Sequence, residues 1–136
     1  MMAKLVKFSE SASLGIHAMI VLASRHGQLV PLKEIASALS ASEAHLSKVL
    51  QRLHKSELLK ATRGPLGGYA LTREPKEISL LEVYQAIEGP LHPRSCLFSM
   101  PVCTGMACEL GAFVGDLEER LRDKLANTTL ADLVQG

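Results

Sequence analysis

Cys96, Cys103 and Cys108 are the three cysteines of this chain, and all fall within the segment HPRSCLFSMPVCTGMACELG. Thiolates are nucleophiles and soft metal ligands, so a group spaced C-x6-C-x4-C points to metal or redox chemistry. A structural zinc site favours close C-x2-C pairs, and this spacing is wider. An iron–sulfur cluster spreads its ligand positions over more than one metal atom, which suits a wide loop containing Pro101 and Gly105. Two plainer readings stand beside it: incidental buried cysteines, and redox thiols that hold no metal. An odd count gives no closed disulfide framework.

A second set of side chains suits contact with nucleic acid. In EAHLSKVLQRLHK, Leu46, Val49, Leu50 and Leu53 recur at helical spacing and form one apolar stripe. Ala44, Lys48, Gln51 and Lys55 then lie opposite, with His45, Ser47 and Arg52 flanking them. Amides and long cations reach base edges and phosphates in a major groove, and small residues near a helix start allow close approach. A polar face of this kind also occurs on helices that only meet water. The heptapeptide RGPLGGY, residues 63–69, adds weight to the first reading. Gly64, Gly67 and Gly68 permit positive φ or close backbone approach, and Pro65 restricts the tip. With Arg63 and Arg73 at its base, such a tip suits a minor groove or a row of phosphates.

These residues need elements to position them. A first helix is expected from about Ser9 to Arg25, with Leu14, Ala18, Val21 and Leu22 on one face and Gly27 as a stop. Pro31 opens a short second helix carrying Leu32, Ile35, Ala36 and Leu39. Ser40 or Ser42 caps the third, Ser40 by a capping box with Glu43. Two short helices joined so tightly predict a helix-turn-helix. SELLKAT and ALTR flank the glycine-rich tip, so residues 57–73 read as a β-hairpin placed directly after it. That order is a winged helix. Ser79 caps SLLEVYQAIEG, which Gly89-Pro90 ends. A long helix after the cysteines carries Leu110, Val114, Leu117, Leu121 and Leu125 as a stripe, with Glu118, Glu119, Arg120 and Arg122 on the remainder.

Length and composition exclude other classes. At 136 residues and 47% hydrophobic composition, the chain forms one modest core, and no stretch is apolar enough to cross a bilayer. The net charge of +1 is uninformative, because nucleic-acid binding requires basic charge in one place rather than everywhere. MMAKLVKFSES has no signal-peptide pattern, so a cytoplasmic location is expected. No phosphate-binding Gly-rich loop ending in Lys-Ser or Lys-Thr, no G-x-S-x-G and no H-E-x-x-H occurs, so no enzyme is expected.

The residues from LKEIASALSASEAHLSKVLQRLHKSELLKATRGPLGGYALTR through SLLEVYQAIEGPL to the cysteine loop and NTTLADLV resemble the Rrf-two family of bacterial winged-helix transcription regulators. The resemblance covers nearly the whole chain, and RGPLGGY is its most specific part. It implies a mainly α fold with a small β-hairpin wing, a winged helix-turn-helix plus a long dimerisation helix. It divides the chain into a DNA-binding domain at 1–90, a cluster-binding loop at 91–108, and a dimerisation helix with a short last helix at 109–136. It places Ser42, His45, Lys48 and Gln51 on the recognition helix and Arg63, Gly64, Gly67 and Gly68 in the wing. It pairs two copies through Leu110, Val114, Leu117 and Leu121, so that a homodimer meets the two half-sites of a double-stranded operator.

The resemblance also implies an iron–sulfur cluster, 2Fe-2S or 4Fe-4S, held by Cys96, Cys103 and Cys108. Cluster-binding relatives carry C-x5-C-x5-C there, so the middle cysteine of this chain departs by one residue. Where some relatives place a histidine after the last cysteine, this chain has Gly111. Others recruit a residue of helix one from the partner subunit, and the corresponding positions are Ser13 and His17, with His17 the expected fourth ligand. A histidine packed under the dimer helix is the plainer reading of His17, an open or solvent-occupied fourth position is a further alternative, and Glu109 suits the N-terminus of its own helix. The expected function is a regulator, read as a repressor, that senses redox, nitric oxide or iron–sulfur status. A cluster-free thiol regulator and an electron-transfer or cluster-carrying protein are the alternatives.

Overall fold

A computed structural model describes residues 8–91 and 109–135, Gln135 by its backbone alone. The chain runs through helix α1 (Glu10–Ser24), α2 (Leu32–Leu39) and α3 (Glu43–Lys55), strands β1 (Leu59–Thr62) and β2 (Gly68–Leu71), a short 3₁₀ turn at Pro75–Glu77, and helices α4 (Leu80–Glu88), α5 (Glu109–Ala126) and α6 (Leu130–Gln135). It is mostly helical with one two-stranded hairpin, the winged-helix arrangement expected from the sequence.

Each of the first three helices begins and ends for a local reason. Ser9 caps α1 by accepting from the Ala12 N–H. Pro31 stands just before α2, where its missing N–H costs nothing. Ser40 adopts the left-handed conformation, with φ at 50°, and ends α2, so it is unavailable to start the next helix. Ser42 therefore caps α3 by accepting from the His45 N–H, and the capping box expected between Ser40 and Glu43 does not form.

The apolar stripe of α3, Leu46, Val49, Leu50 and Leu53, is buried together with Ala18, Met19 and Leu22 of α1 and Ile35 and Ala36 of α2. A side chain of this kind stabilises by about 1.5–3 kcal/mol when taken out of water. Gly15 lets α1 and α4 touch closely, since a Cβ there would lie 2.0 Å from Ile87 Cδ1. The hairpin pairs Leu59 with Leu71 and Thr62 with Gly68 in antiparallel register. Val30, just ahead of α2, adds a third edge by exchanging backbone hydrogen bonds with Tyr69, both 2.9 Å. Gly68 and Tyr69 are thus strand residues rather than tip residues.

The chain after α5 returns to the same core. Leu130 N–H donates to Ile78 O at 3.0 Å and Leu80 N–H to Thr128 O at 2.9 Å, bringing the start of α6 against the start of α4. Leu125 and Leu130 are buried with Ile78, Tyr84 and Ile87, so the end of the chain packs into the winged helix.

Candidate nucleic-acid interface

The outward face of α3 carries Ala44, Lys48, Gln51 and Lys55, all exposed. Lys48 and Gln51 have no side-chain hydrogen bond or ion pair among the described residues, so a long cation and a side-chain amide stand ready for a ligand. The neighbouring positions differ. Ser42 holds the helix start, leaving its own O–H to donate. His45 is half-buried with Nε2 3.2 Å from Ser11 Oγ, which turns its ring toward α1. Arg52 turns toward α4 and donates from Nη1 to Ile87 O at 3.2 Å. Within the predicted recognition set, Lys48 and Gln51 are therefore the two whose heads reach outward without an internal partner.

The wing tip is narrower than the heptapeptide suggests. Arg63, Gly64, Pro65 and Leu66 are exposed, and the Gly67 N–H donates to Gly64 O at 2.9 Å to close the turn. Gly64 has φ of 108°, a conformation glycine adopts without strain. Gly67 and Gly68 serve the chain's own packing. A Cβ on Gly67 would stand 2.0 Å from Thr62 O, and one on Gly68 2.6 Å from the Val30 backbone.

Arg73 departs from its expected place among the groove-facing cations. Its Nη2 donates to Glu82 Oε1 at 2.6 Å and its Nη1 to Glu77 O at 3.1 Å, so it braces the base of the wing against α4. Glu82 is also the capping-box partner of Ser79. Burial pushes the Glu82 carboxyl up, but the Ser79 N–H and the Arg73 guanidinium outweigh it and hold the group below the usual carboxylate range.

Cys96, Cys103 and Cys108 lie outside the described residues, and among the described residues no three His, Cys, Asp or Glu side chains gather as a metal site. What is described is where the loop attaches. It leaves after Leu91, whose N–H donates to Gln85 Oε1 at 3.1 Å, and it rejoins at α5. His17 stands exposed on α1 with Nδ1 2.7 Å from Ser13 O. A carbonyl only accepts, so Nδ1 donates here, which leaves Nε2 as the nitrogen that a metal would take, the arrangement seen in metal-ligating histidines. Glu10, Ser13, Leu14, Ala38 and Leu39 line an open cavity of about 400 Å³ with it. The donor chemistry thus fits a cluster: three thiols in one segment and an imidazole whose Nε2 is the nitrogen left for a metal.

Burial divides the residues of the long helix. Gly111, Val114, Glu118 and Leu125 are buried, with Glu118 only 1% exposed, whereas Leu110 and Phe113 are 56% and 59% exposed. Val114, at 3% exposure, is covered within the single chain. The outward apolar pair is Leu110 with Phe113, and sequence spacing missed Phe113 because it falls outside the leucine stripe. Leu117 and Leu121 are half-buried between the two faces.

The profile of the Rrf2 family, described as "Iron-dependent Transcriptional regulator", matches residues 8–136. The chain belongs to the Rrf2 family. It is 31% identical over 132 residues to the HTH-type transcriptional regulator IscR of Sodalis glossinidius, covering 96% of this chain and 80% of that one. Among solved structures, CymR, the global cysteine regulator of B. subtilis, superposes with a TM-score of 0.83 at 30% identity, covering 96% of this chain and 97% of that one. IscR of T. potens superposes with a TM-score of 0.78 at 27% identity, over 96% and 87% of the two chains. The chain is an Rrf2-family transcriptional regulator with a DNA-binding winged helix. Among the described residues, no helix is long and apolar enough to cross a membrane.

Proposed function

We propose that this Rrf2 protein is a cytoplasmic homodimer that binds a pseudo-palindromic operator, acts as a repressor, and changes its affinity through the segment holding Cys96, Cys103 and Cys108. The observation that carries the reading is the pairing of the unpartnered Lys48 and Gln51 heads on α3 with the exposed Arg63–Leu66 tip of the adjoining hairpin. In this reading Gln51 and Lys48 reach base edges in the major groove, Ser42 donates to a phosphate at the helix start, and Arg63 sits at the minor groove or a phosphate. Residues 1–90 read DNA, 91–108 form the sensing loop, and Leu110 with Phe113 on α5 meets the partner.

An iron–sulfur cluster would be held by the three cysteines, with Nε2 of His17 from the partner subunit as the fourth donor. When bound, it supplies a centre whose oxidation state and occupancy respond to oxidants, nitric oxide or iron–sulfur supply. The chain's own part is to carry the thiols on the segment that links α4 to α5 and the imidazole on α1; α1 and α4 pack against each other and against α3. A second reading, supported by the likeness to the global cysteine regulator CymR, keeps the same DNA-reading surface and uses the cysteines as redox thiols without a metal. The visible spectrum of anaerobically purified protein separates the two.

The DNA-reading surface is tested by binding to a duplex recovered from a random-sequence pool by the full-length protein. Gln51→Ala is expected to cost about 1–3 kcal/mol and to relax preference at one base pair of each half-site. Unchanged affinity and unchanged preference for both Gln51→Ala and Lys48→Ala would remove α3 from the account.

A further inference from the structure

Leu66 stands at the apex of the wing with 90% of its surface exposed, while the next most exposed large hydrophobic side chain among the described residues reaches 59%. The backbone keeps it there. The turn is closed by the Gly67 N–H on Gly64 O, Pro65 fixes the residue before it, and Gly67 packs directly on the Thr62 carbonyl. A leucine on a turn built this tightly cannot fold back onto its own chain. Arg63, exposed at the foot of the same turn, supplies the positive charge that draws the tip to a polyanion.

We propose that Leu66 is the specificity-determining contact of the wing: it enters the minor groove beside the site read by α3 and selects A·T over G·C pairs there. This rests on the DNA-reading role given above. A minor groove about 6 Å wide admits a narrow turn but not a helix, and its sugar walls offer C–H surface to an apolar side chain. A G·C pair adds the guanine 2-amino donor to the groove floor. Leucine has no acceptor for it, so covering that donor leaves it without a hydrogen bond. An A·T pair presents no such donor, and the narrower, more negative groove of A·T tracts also holds Arg63 more strongly. Leu66 therefore discriminates by what it cannot satisfy.

The test uses the full-length protein and a duplex it selects from a random pool, with the wing-contacted pairs located by hydroxyl-radical footprinting. Those pairs are set to A·T, to G·C, or to inosine·C, which keeps the major-groove face of G·C and lacks the 2-amino group. The unaltered protein is expected to bind the A·T and inosine·C duplexes alike and the G·C duplex about 5-fold more weakly. Leu66→Ser, at an exposed position with no packing to lose, is expected to bind all three within about twofold. Discrimination kept in full by Leu66→Ser, or absent from the unaltered protein while specific binding persists, overturns the role of Leu66 and leaves the DNA-reading role standing. If no duplex is preferred over random DNA, both fall.

Discussion

Arg52 Nη1 donates to the backbone oxygen of Ile87 at 3.2 Å, which ties the helix carrying Lys48 and Gln51 to the last turn of α4. The chain leaves that turn through Gly89 and Leu91 into the cysteine segment, with Leu91 anchored on Gln85 at 3.1 Å. Helix α3 and the root of the cysteine segment are therefore joined by one guanidinium. Ser9 Oγ donates to Glu88 Oε1 at 3.0 Å and fastens the start of α1 to the same place.

Removing that guanidinium is expected to loosen the joint without taking a contact from DNA. Arg52→Ala loses a hydrogen bond worth about 1 kcal/mol, which lowers the melting temperature by about 3–6 °C for a chain of this size. The salt dependence of operator binding is expected to stay the same. A slope shallower by about one unit would instead make Arg52 a phosphate contact and contradict its structural role.

Much of this arrangement is legible in the sequence. The stripe Leu46, Val49, Leu50, Leu53 fixes which side of α3 faces inward, and the polar residues on the other side follow from helical period alone. RGPLGGY signals a tight turn. What escaped depends on local backbone conformation or on partners distant in the chain. Ser40 and Ser42 both suit a helix cap, and only the left-handed backbone at Ser40 decides between them. Arg73 reads as a cation for DNA until Glu82, nine residues later, is seen to hold it. Glu118 reads as a solvated face residue, yet it is buried because Gly111, Val114 and Leu125 define the inner face of α5. Periodicity locates a stripe; it does not tell which of two adjacent stripes turns inward.

The Arg73–Glu82 pair gives the protein a pH dependence whose sign follows from the lowered Glu82 carboxyl. Its folded value lies below that of the unfolded chain, so its contribution is present above about pH 4.3 and lost as the pH falls through the folded value. Urea midpoints taken at pH 7, 5 and 3 are expected to fall more steeply for the unaltered protein than for Glu82→Gln. Parallel falls would show that the pair does not contribute.

Leu110 and Phe113 are expected to sit in the dimer contact. Phe113→Glu places a charge in an apolar interface and is expected to sediment as a monomer with its helical content retained. Val114→Ala acts inside each protomer, costing about 1–3 kcal/mol of stability with the dimer intact. A dimeric Phe113→Glu would move the interface elsewhere on the molecule.

The central claim is that the cysteine segment controls the DNA-reading surface. Its most direct test is the affinity of the anaerobically purified protein for its selected duplex, before and after removal of iron and sulfide, at one fixed salt concentration. A coupling of about 1–3 kcal/mol predicts a difference of roughly 5- to 150-fold. The same comparison with Cys103→Ala is expected to show no difference, because that variant loses a thiolate ligand. Equal affinities of the loaded and stripped protein would contradict the account and leave any bound cluster without a regulatory role.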